Sequence, residues 1–294
     1  MNGAFDYGAA FSRNIGWVTE SEQQALRGKR VAIAGMGGVG GVHLLTLARF
    51  GIGAFSIADF DTFDIVNFNR QAGAVVSSLG QPKADVLARM ARDINPDLDL
   101  TVFGDGVTDS NLDTFLGDAD LYVDGLDFFA FSARRATFAA CRRLGIPAIT
   151  AAPLGMGVAF LCFTPESMSF EEYFCLEGCD EDEMALRFLL GLSPAMLQRS
   201  YLADASRVNL SEHKGPSTIA ACQLCAGVIA TEGVKLLLGR GNVSVAPRGY
   251  QFDAYRNRFV RTWRPGGNRN PIQRIGLAIA RRQLAGMKEA RARG

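Results

Sequence analysis

Gly35, Gly37 and Gly40 form a G-x-G-x-x-G pattern, with Gly38 inside it. An apolar run, Val31–Ala34, precedes it, and Val42–Phe50 follows with the apolar spacing of a helix. Strand, glycine turn, helix is the order in which this pattern binds phosphate. Glycines let the main chain turn sharply and approach a phosphate, and the helix offers unpaired N–H groups and a positive dipole end. Asp59 stands 19 residues beyond Gly40 (59 − 40), at the end of a second strand, Ala54–Ala58, where a ribose-binding acid is expected. These residues point to a nucleotide and leave NAD and ATP both open. A second polar set is Asn67, Arg70, Lys83 and Asp127. Arg and Lys carry fixed positive charge for phosphates, an Asn amide can hold a phosphate or carboxylate oxygen, and an Asp can hold Mg²⁺.

The elements that must position these groups alternate. After a leader of residues 1–29 with Arg13 and a helix at Glu20–Arg27, the glycine unit opens a series of strands and helices. Asp59–Pro82 has little periodicity, and a loop of that length in a compact domain is uncommon unless it is functional. A helix at Lys83–Ile94, a strand at Asp97–Phe103, a helix at Ser110–Leu116, a strand at Leu121–Leu126, a helix at Phe128–Leu144 and a strand at Ile146–Ala151 follow. The pattern predicts an α/β fold, a Rossmann-like doubly wound and mostly parallel sheet, with its ligand beyond the carboxyl ends of the strands. Asp59, Asp124 and Asp127 fall at or just after predicted strand ends.

The second half reads as an α+β extension: a strand at Leu154–Phe163, an acidic segment at Thr164–Glu183, two short helices, a long helix at Ser217–Leu238, and two strands within Gly249–Trp263 with a turn near Arg256 and Asn257. Residues 1–263 are expected to form one domain, and 264–294 a basic tail or surface helix.

Composition limits the partners. Of the 294 residues 48% are hydrophobic and 21% charged, a globular balance, and a net charge of +1 gives no reason to expect nucleic acid. The apolar stretches near Ile149–Phe163 and Ile219–Ala230 are too short and too interrupted by Gly or Cys to span a bilayer, so no membrane partner is expected. No signal peptide opens the sequence, and the six cysteines lack a disulfide-scaffold pattern. A cytoplasmic protein with reduced thiols is expected.

At this point the motifs resemble a family. Asp-Phe-Asp-Thr at 59–62, which contains Asp61, Val-Asn-Phe-Asn-Arg-Gln at 66–71, Gly-Gln-Pro-Lys at 80–83 and Val-Asp-Gly-Leu-Asp at 123–127 are similar to the ThiF/MoeB-type adenylating enzymes, relatives of the adenylation half of ubiquitin-activating enzymes. The resemblance runs from about Arg13 to Trp263. It implies ATP and Mg²⁺ as cofactors. Gly35, Gly37, Gly38 and Gly40 would line the ATP site with Asp61, Asp59 would bind the ribose, Asn67, Arg70 and Lys83 would contact phosphates, and Asp127 would hold Mg²⁺. Arg13 resembles an N-terminal arginine that completes the neighbouring protomer's site, which implies a homodimer. The substrate implied is the C-terminal carboxylate of a small ubiquitin-like or sulfur-carrier protein or peptide, adenylated with release of pyrophosphate. A ThiF-like enzyme acting on a ribosomal peptide, an NAD-dependent oxidoreductase and a non-catalytic scaffold are the alternatives. The oxidoreductase leaves Asn67, Arg70 and Lys83 without a task.

Adenylation needs no general base, because a carboxylate with a pKa of about 4 is already ionised at neutral pH. The two histidines, His43 and His213, are too few for the usual zinc or Ser-His-Asp sites, and His43 reads as structural. The family's two CxxC zinc pairs are not matched: Cys222 and Cys225 form CxxC in an apolar helical stretch, Cys175 and Cys179 are spaced CxxxC, and no cysteine follows Cys225. Buried helix cysteines and no structural zinc are expected. The acidic surroundings of Cys175 and Cys179 speak against a catalytic thiolate.

Overall fold

A computed structural model describes residues 5–208 and 215–293, with the side chains of 287–293 outside it; His213 lies outside the described residues. The five-residue runs that read as strands have no polar face. They are buried on both sides as β1 (Arg30–Ala34) and β2 (Ala54–Ala58), as parallel strands between helix layers must be. With β3 (Asp99–Phe103), β4 (Leu121–Asp124), β5 (Ala148–Leu154), β6 (Gly157–Phe163), β7 (Arg248–Asp253) and β8 (Arg258–Trp263) they form one eight-stranded sheet in the order β3-β2-β1-β4-β5-β6-β7-β8. Pairing is parallel from β3 to β5 and antiparallel from β5 to β8. Strand order reverses between β1 and β4, and in open sheets of this kind ligands bind beyond the carboxyl ends of the strands at that point. This is the expected α/β Rossmann-like fold.

The helices are α1 (Tyr7–Phe11), α2 (Glu20–Arg27), α3 (Gly40–Arg49), α4 (Lys83–Ile94), α5 (Leu112–Leu116), α6 (Phe131–Leu144), α7 (Phe170–Phe174), α8 (Glu181–Leu192), α9 (Ile219–Leu238) and α10 (Pro271–Arg293). α3, α4 and α9 cover one face through Leu44, Leu47, Leu87, Ile229 and Val234. α5 to α8 cover the other with an aromatic cluster, in which Phe138 stacks on Phe170 at 4.5 Å and Phe174 lies 5.0 Å from Phe188. Each such pair adds about 0.5–1.5 kcal/mol beyond its burial.

Three sequence expectations shift, each for a local reason. The expected strands Ile146–Ala151 and Leu154–Phe163 are one hairpin, because Gly155, at φ 62°, allows a two-residue turn between Leu154 and Gly157. The acidic segment does not precede the two helices; it contains their starts. Ser169 and Glu172 form a capping box on α7, and Asp180 caps α8 ahead of Glu181, Asp182 and Glu183, where negative charge favours a helix N-terminus. The apolar stretch from Ile219 runs on to Leu238, 20 residues with a mean hydropathy of 1.5, long enough to cross a bilayer; it is packed on β5, β6 and α3 as a core helix. Beyond β8, Asn268 donates to the carbonyls of Phe174 (2.8 Å) and Arg187 (2.9 Å), and α10 packs on α8 with Leu277 buried.

One core residue is out of keeping with its site. His43, on α3, is fully buried and neither ring nitrogen has a hydrogen-bond partner among the described residues. Burial pushes its pKa down to about 3, so the ring is neutral in the folded chain. With the folded pKa below the unfolded value of about 6.5, stability is intact above that value and falls as pH drops toward 3. His43→Leu removes two unpaired nitrogens and should stabilise the chain by about 1–2 kcal/mol at pH 8. The gain should widen at pH 5, as chemical denaturation at the two pH values would measure. An equal gain at both would show that the imidazole does not titrate in this way.

Candidate active site

The glycine turn is set by backbone contacts that leave no room for a side chain. Gly35 lies at φ 85°, and a Cβ on Gly40 would run into the Gly35 carbonyl. Gly125, just past β4, meets the same carbonyl, and its N–H donates to Ala34 O at 2.9 Å. Asp59 locks the turn from β2: Oδ2 accepts from Met36 N–H at 2.6 Å and Oδ1 from Asp61 N–H at 2.8 Å. Burial outweighs these bonds and raises the Asp59 pKa. Gly37 and Gly38 sit at the outer bend, where a Cβ on Gly38 would stand 3.4 Å from Cys222 Sγ and 3.5 Å from Arg70 Cγ.

The irregular segment 59–82 delivers the cations. Asn67 is buried, and its Oδ1 accepts from Asp64 N–H at 3.0 Å, so part of its amide is spent on the turn that aims Arg70. Arg70 lies along Gly38 and donates to Val66 O at 3.1 Å and Asn69 Oδ1 at 3.0 Å. Lys83 opens α4, is buried, and pairs with Asp61 Oδ2 at 2.8 Å. Asp61 in turn touches Asp59, so Lys83 joins the glycine loop through two carboxylates. Gln71, named in the same motif, was given no role by sequence reasoning. It is buried, with Nε2 3.8 Å from where a Cβ on Gly37 would stand, and its Oε1 has no hydrogen-bond partner among the described residues.

Asp127 stands on the loop between β4 and α6, exposed, with Oδ1 accepting from Phe129 N–H at 3.0 Å. That loop lengthens the expected gap, so α6 begins at Phe131 and not at Phe128. Arg134 holds it from below, through an ion pair to Asp124 Oδ2 at 2.8 Å, both partners buried. Asp124 was read as a strand-end acid facing the site; it is committed to Arg134. Arg134 itself was missed, and the signal was the spacing of an Asp ten residues ahead of an Arg in the first turns of the next helix. Mg²⁺ is commonly held by one or two carboxylates plus substrate phosphates, and a lone exposed Asp127 beside the glycine loop fits that sharing. Among the described residues no group of three or more His, Cys, Asp or Glu is placed to hold a metal ion.

Arg13 is not brought to this surface within one chain. Its neighbour Asn14 donates to Phe50 O at 3.2 Å, at the far end of α3 from the glycine loop, about 15 Å along the helix. Cys222 and Cys225 are buried on α9. Cys175 and Cys179 follow α7, where burial raises the Cys179 pKa, with Glu183, Asp180 and Glu171 adding and Arg187 opposing.

A model of the ThiF family matches residues 11–274. The chain belongs to the ThiF family. It is 36% identical to the tRNA threonylcarbamoyladenosine dehydratase of Escherichia coli over 137 residues, 46% of this chain and 50% of that protein. It is 34% identical to the sulfur carrier protein ThiS adenylyltransferase of E. coli over 143 residues, 49% and 56% of the two chains. The chain thus spans about half the length of the curated relatives it matches. Among solved structures, PaaA superposes with a TM-score of 0.63 at 19% identity, over 87% of this chain and 79% of PaaA. The E. coli tRNA N6-threonylcarbamoyladenosine dehydratase TcdA with ATP gives 0.58 at 23%, over 79% and 95%. Both share the fold. The family is the one that the motifs at 59–83 and 123–127 implied.

In this ThiF-family chain Gly38 is the loop glycine at which folding and nucleotide binding can be tested apart. Gly38→Ala adds a Cβ at ordinary contact distances in a backbone that needs no positive φ, so thermal melting should be unchanged. Its methyl group would still stand on the outer bend, and nucleotide affinity should fall about tenfold or more. Undiminished affinity would place the phosphates elsewhere.

Proposed function

We propose that this protein is a Mg²⁺- and ATP-dependent adenylyltransferase that activates the C-terminal carboxylate of a small ubiquitin-like or sulfur-carrier protein or peptide. The carboxylate oxygen attacks the α-phosphorus, the bond from phosphorus to the bridging β-oxygen breaks, and pyrophosphate leaves with its electron pair. The observation that carries this reading is that Arg70 lies along Gly38, Lys83 is tied to the same loop through Asp61, and Asp59, the acid proposed for the ribose, holds the Met36 N–H of that loop. A dinucleotide needs the loop and the acid only. A triphosphate also needs its charge cancelled and its α-phosphate set in line with the attacking oxygen. Asp127 would hold Mg²⁺, which supplies further positive charge to the departing pyrophosphate.

Relatives are named for different substrates, a sulfur carrier protein in one case and a tRNA nucleoside in another. A formal net charge of +1 supports a protein or peptide here, because tRNA binding draws on an excess of positive charge. Substrate-dependent exchange of labelled pyrophosphate into ATP tests the reading. Exchange should require a free C-terminal carboxylate and vanish when that terminus is amidated. Exchange driven by tRNA alone would overturn the substrate class, and tight NAD binding without any ATP response would overturn adenylation.

A homodimer with shared sites belongs to the same proposal. Ile15 and Trp17, next to Arg13, are exposed, as are Ile65, Val66, Val75 and Val76 around Arg70. Apolar surface of that kind favours burial against another protein. Mixing Arg13→Ala with Lys83→Ala chains should then restore up to about a quarter of wild-type exchange, since half of random dimers are mixed and each of those has one intact site. No recovery in proven heterodimers would rule out the shared site.

A further inference from the structure

Arg134 is a buried cation that no part of the proposed chemistry uses directly. Its side chain is 3% exposed. Nε donates to Asp124 Oδ2 at 2.8 Å, Nη1 to Phe128 O at 3.1 Å, and Nη2 to Leu126 O at 2.8 Å and Asp127 O at 2.9 Å. The guanidinium lies 4.6 Å above the Phe188 ring. Asp124 also accepts from Thr150 Oγ1 at 3.1 Å and from Leu126 N–H at 3.3 Å. One rigid planar group therefore holds three consecutive carbonyls of the loop between β4 and α6. The same loop starts at Gly125, which is packed against the Gly35 carbonyl. The main chain of Asp127 is thus fixed at one end by the glycine loop and from below by Arg134.

We propose that Arg134 is a positioning residue for the metal carboxylate. It sets the Asp127 main chain so that the carboxylate leaves toward the phosphates, and it touches neither nucleotide nor metal. Asp124 neutralises it, so its charge does not oppose a cation a few residues away. This rests on the reading of Asp127 as a Mg²⁺ ligand. Lysine could keep the pair with Asp124, but a single ammonium on a flexible stem cannot serve three carbonyls in the arginine's fork geometry. A staple that served folding alone would change stability and nucleotide affinity together. A positioning residue changes the metal-dependent part.

The test is calorimetric titration of ATP into the full chain, in EDTA and in Mg²⁺, with thermal melts of each variant. For Arg134→Lys a cooperative melt is expected, with ATP affinity in EDTA unchanged. The enhancement by Mg²⁺ should fall about tenfold or more, as when a group that orients a metal ligand is altered. Combining it with Asp127→Asn should cost nothing beyond Asp127→Asn alone. A retained Mg²⁺ enhancement, an equal loss in both buffers or additive losses would each overturn the proposal. Should Arg134→Lys not fold, Phe188→Leu, which removes the ring under the guanidinium, takes its place. The same metal-selective loss is expected there, and an unchanged ratio of affinities would overturn the proposal. A wild-type chain that binds no ATP in either buffer would overturn the function and this proposal together. Mg²⁺-enhanced ATP binding without exchange would count against adenylation alone.

Discussion

Two loops meet backbone to backbone where the sheet reverses its strand order, and the rest of the site depends on that contact. Gly35, Gly40 and Gly125 approach so closely that a Cβ on any of them would overlap main-chain atoms. Glycine loses more backbone entropy on folding than any other residue, so three of them at one contact are a cost that the neighbouring groups must offset. The N–H of Met36 held by Asp59 and the N–H of Gly125 held by Ala34 O do so on the two sides. The result joins the ends of β1, β2 and β4, and with them Asp59, Arg70 and Asp127, on one surface.

Beneath that surface lies a buried ion pair on an aromatic bed. A pair such as Asp124 and Arg134 adds little net stability when formed, because desolvation offsets attraction, yet breaking it leaves an uncompensated charge at a cost of about 3–5 kcal/mol. Its effect is to exclude other arrangements of the loop. Phe188 and Phe128, 5.2 Å apart, carry the same constraint into α8, so a helix that begins in the acidic segment supports the site it does not line.

Local patterns in the sequence were enough for much of this. Asp59, Arg70, Lys83 and Asp127 were legible because each sits at a strand end, in a long aperiodic loop or at a helix start, and the motifs around them are specific. The doubly wound, parallel character of the first half followed from alternation alone. What escaped depended on tertiary pairing. Arg134 looks like one more helix arginine until Asp124 is seen below it, and Gln71 has no assigned role until its amide is seen buried beside Gly37. Asn67 was read as a phosphate contact; its Oδ1 is held by Asp64 N–H, a commitment to the turn that the sequence did not show. The two helices were placed after the acidic segment and not within it, because helix caps and solvated faces use the same residues. Arg13 is the converse case: its place was suggested by resemblance, and one chain cannot bring it to its own glycine loop.

The most direct test of the account is the crystal structure of the protein with ATP and Mg²⁺. The account predicts the ribose hydroxyls on the Asp59 carboxylate, the phosphates along Gly37 and Gly38 between Arg70 and Lys83, and the metal on Asp127. For Lys83 that means turning from Asp61 to the phosphates. Nucleotide bound elsewhere, or at the glycine loop with Arg70 and Lys83 turned away from it, would contradict the account.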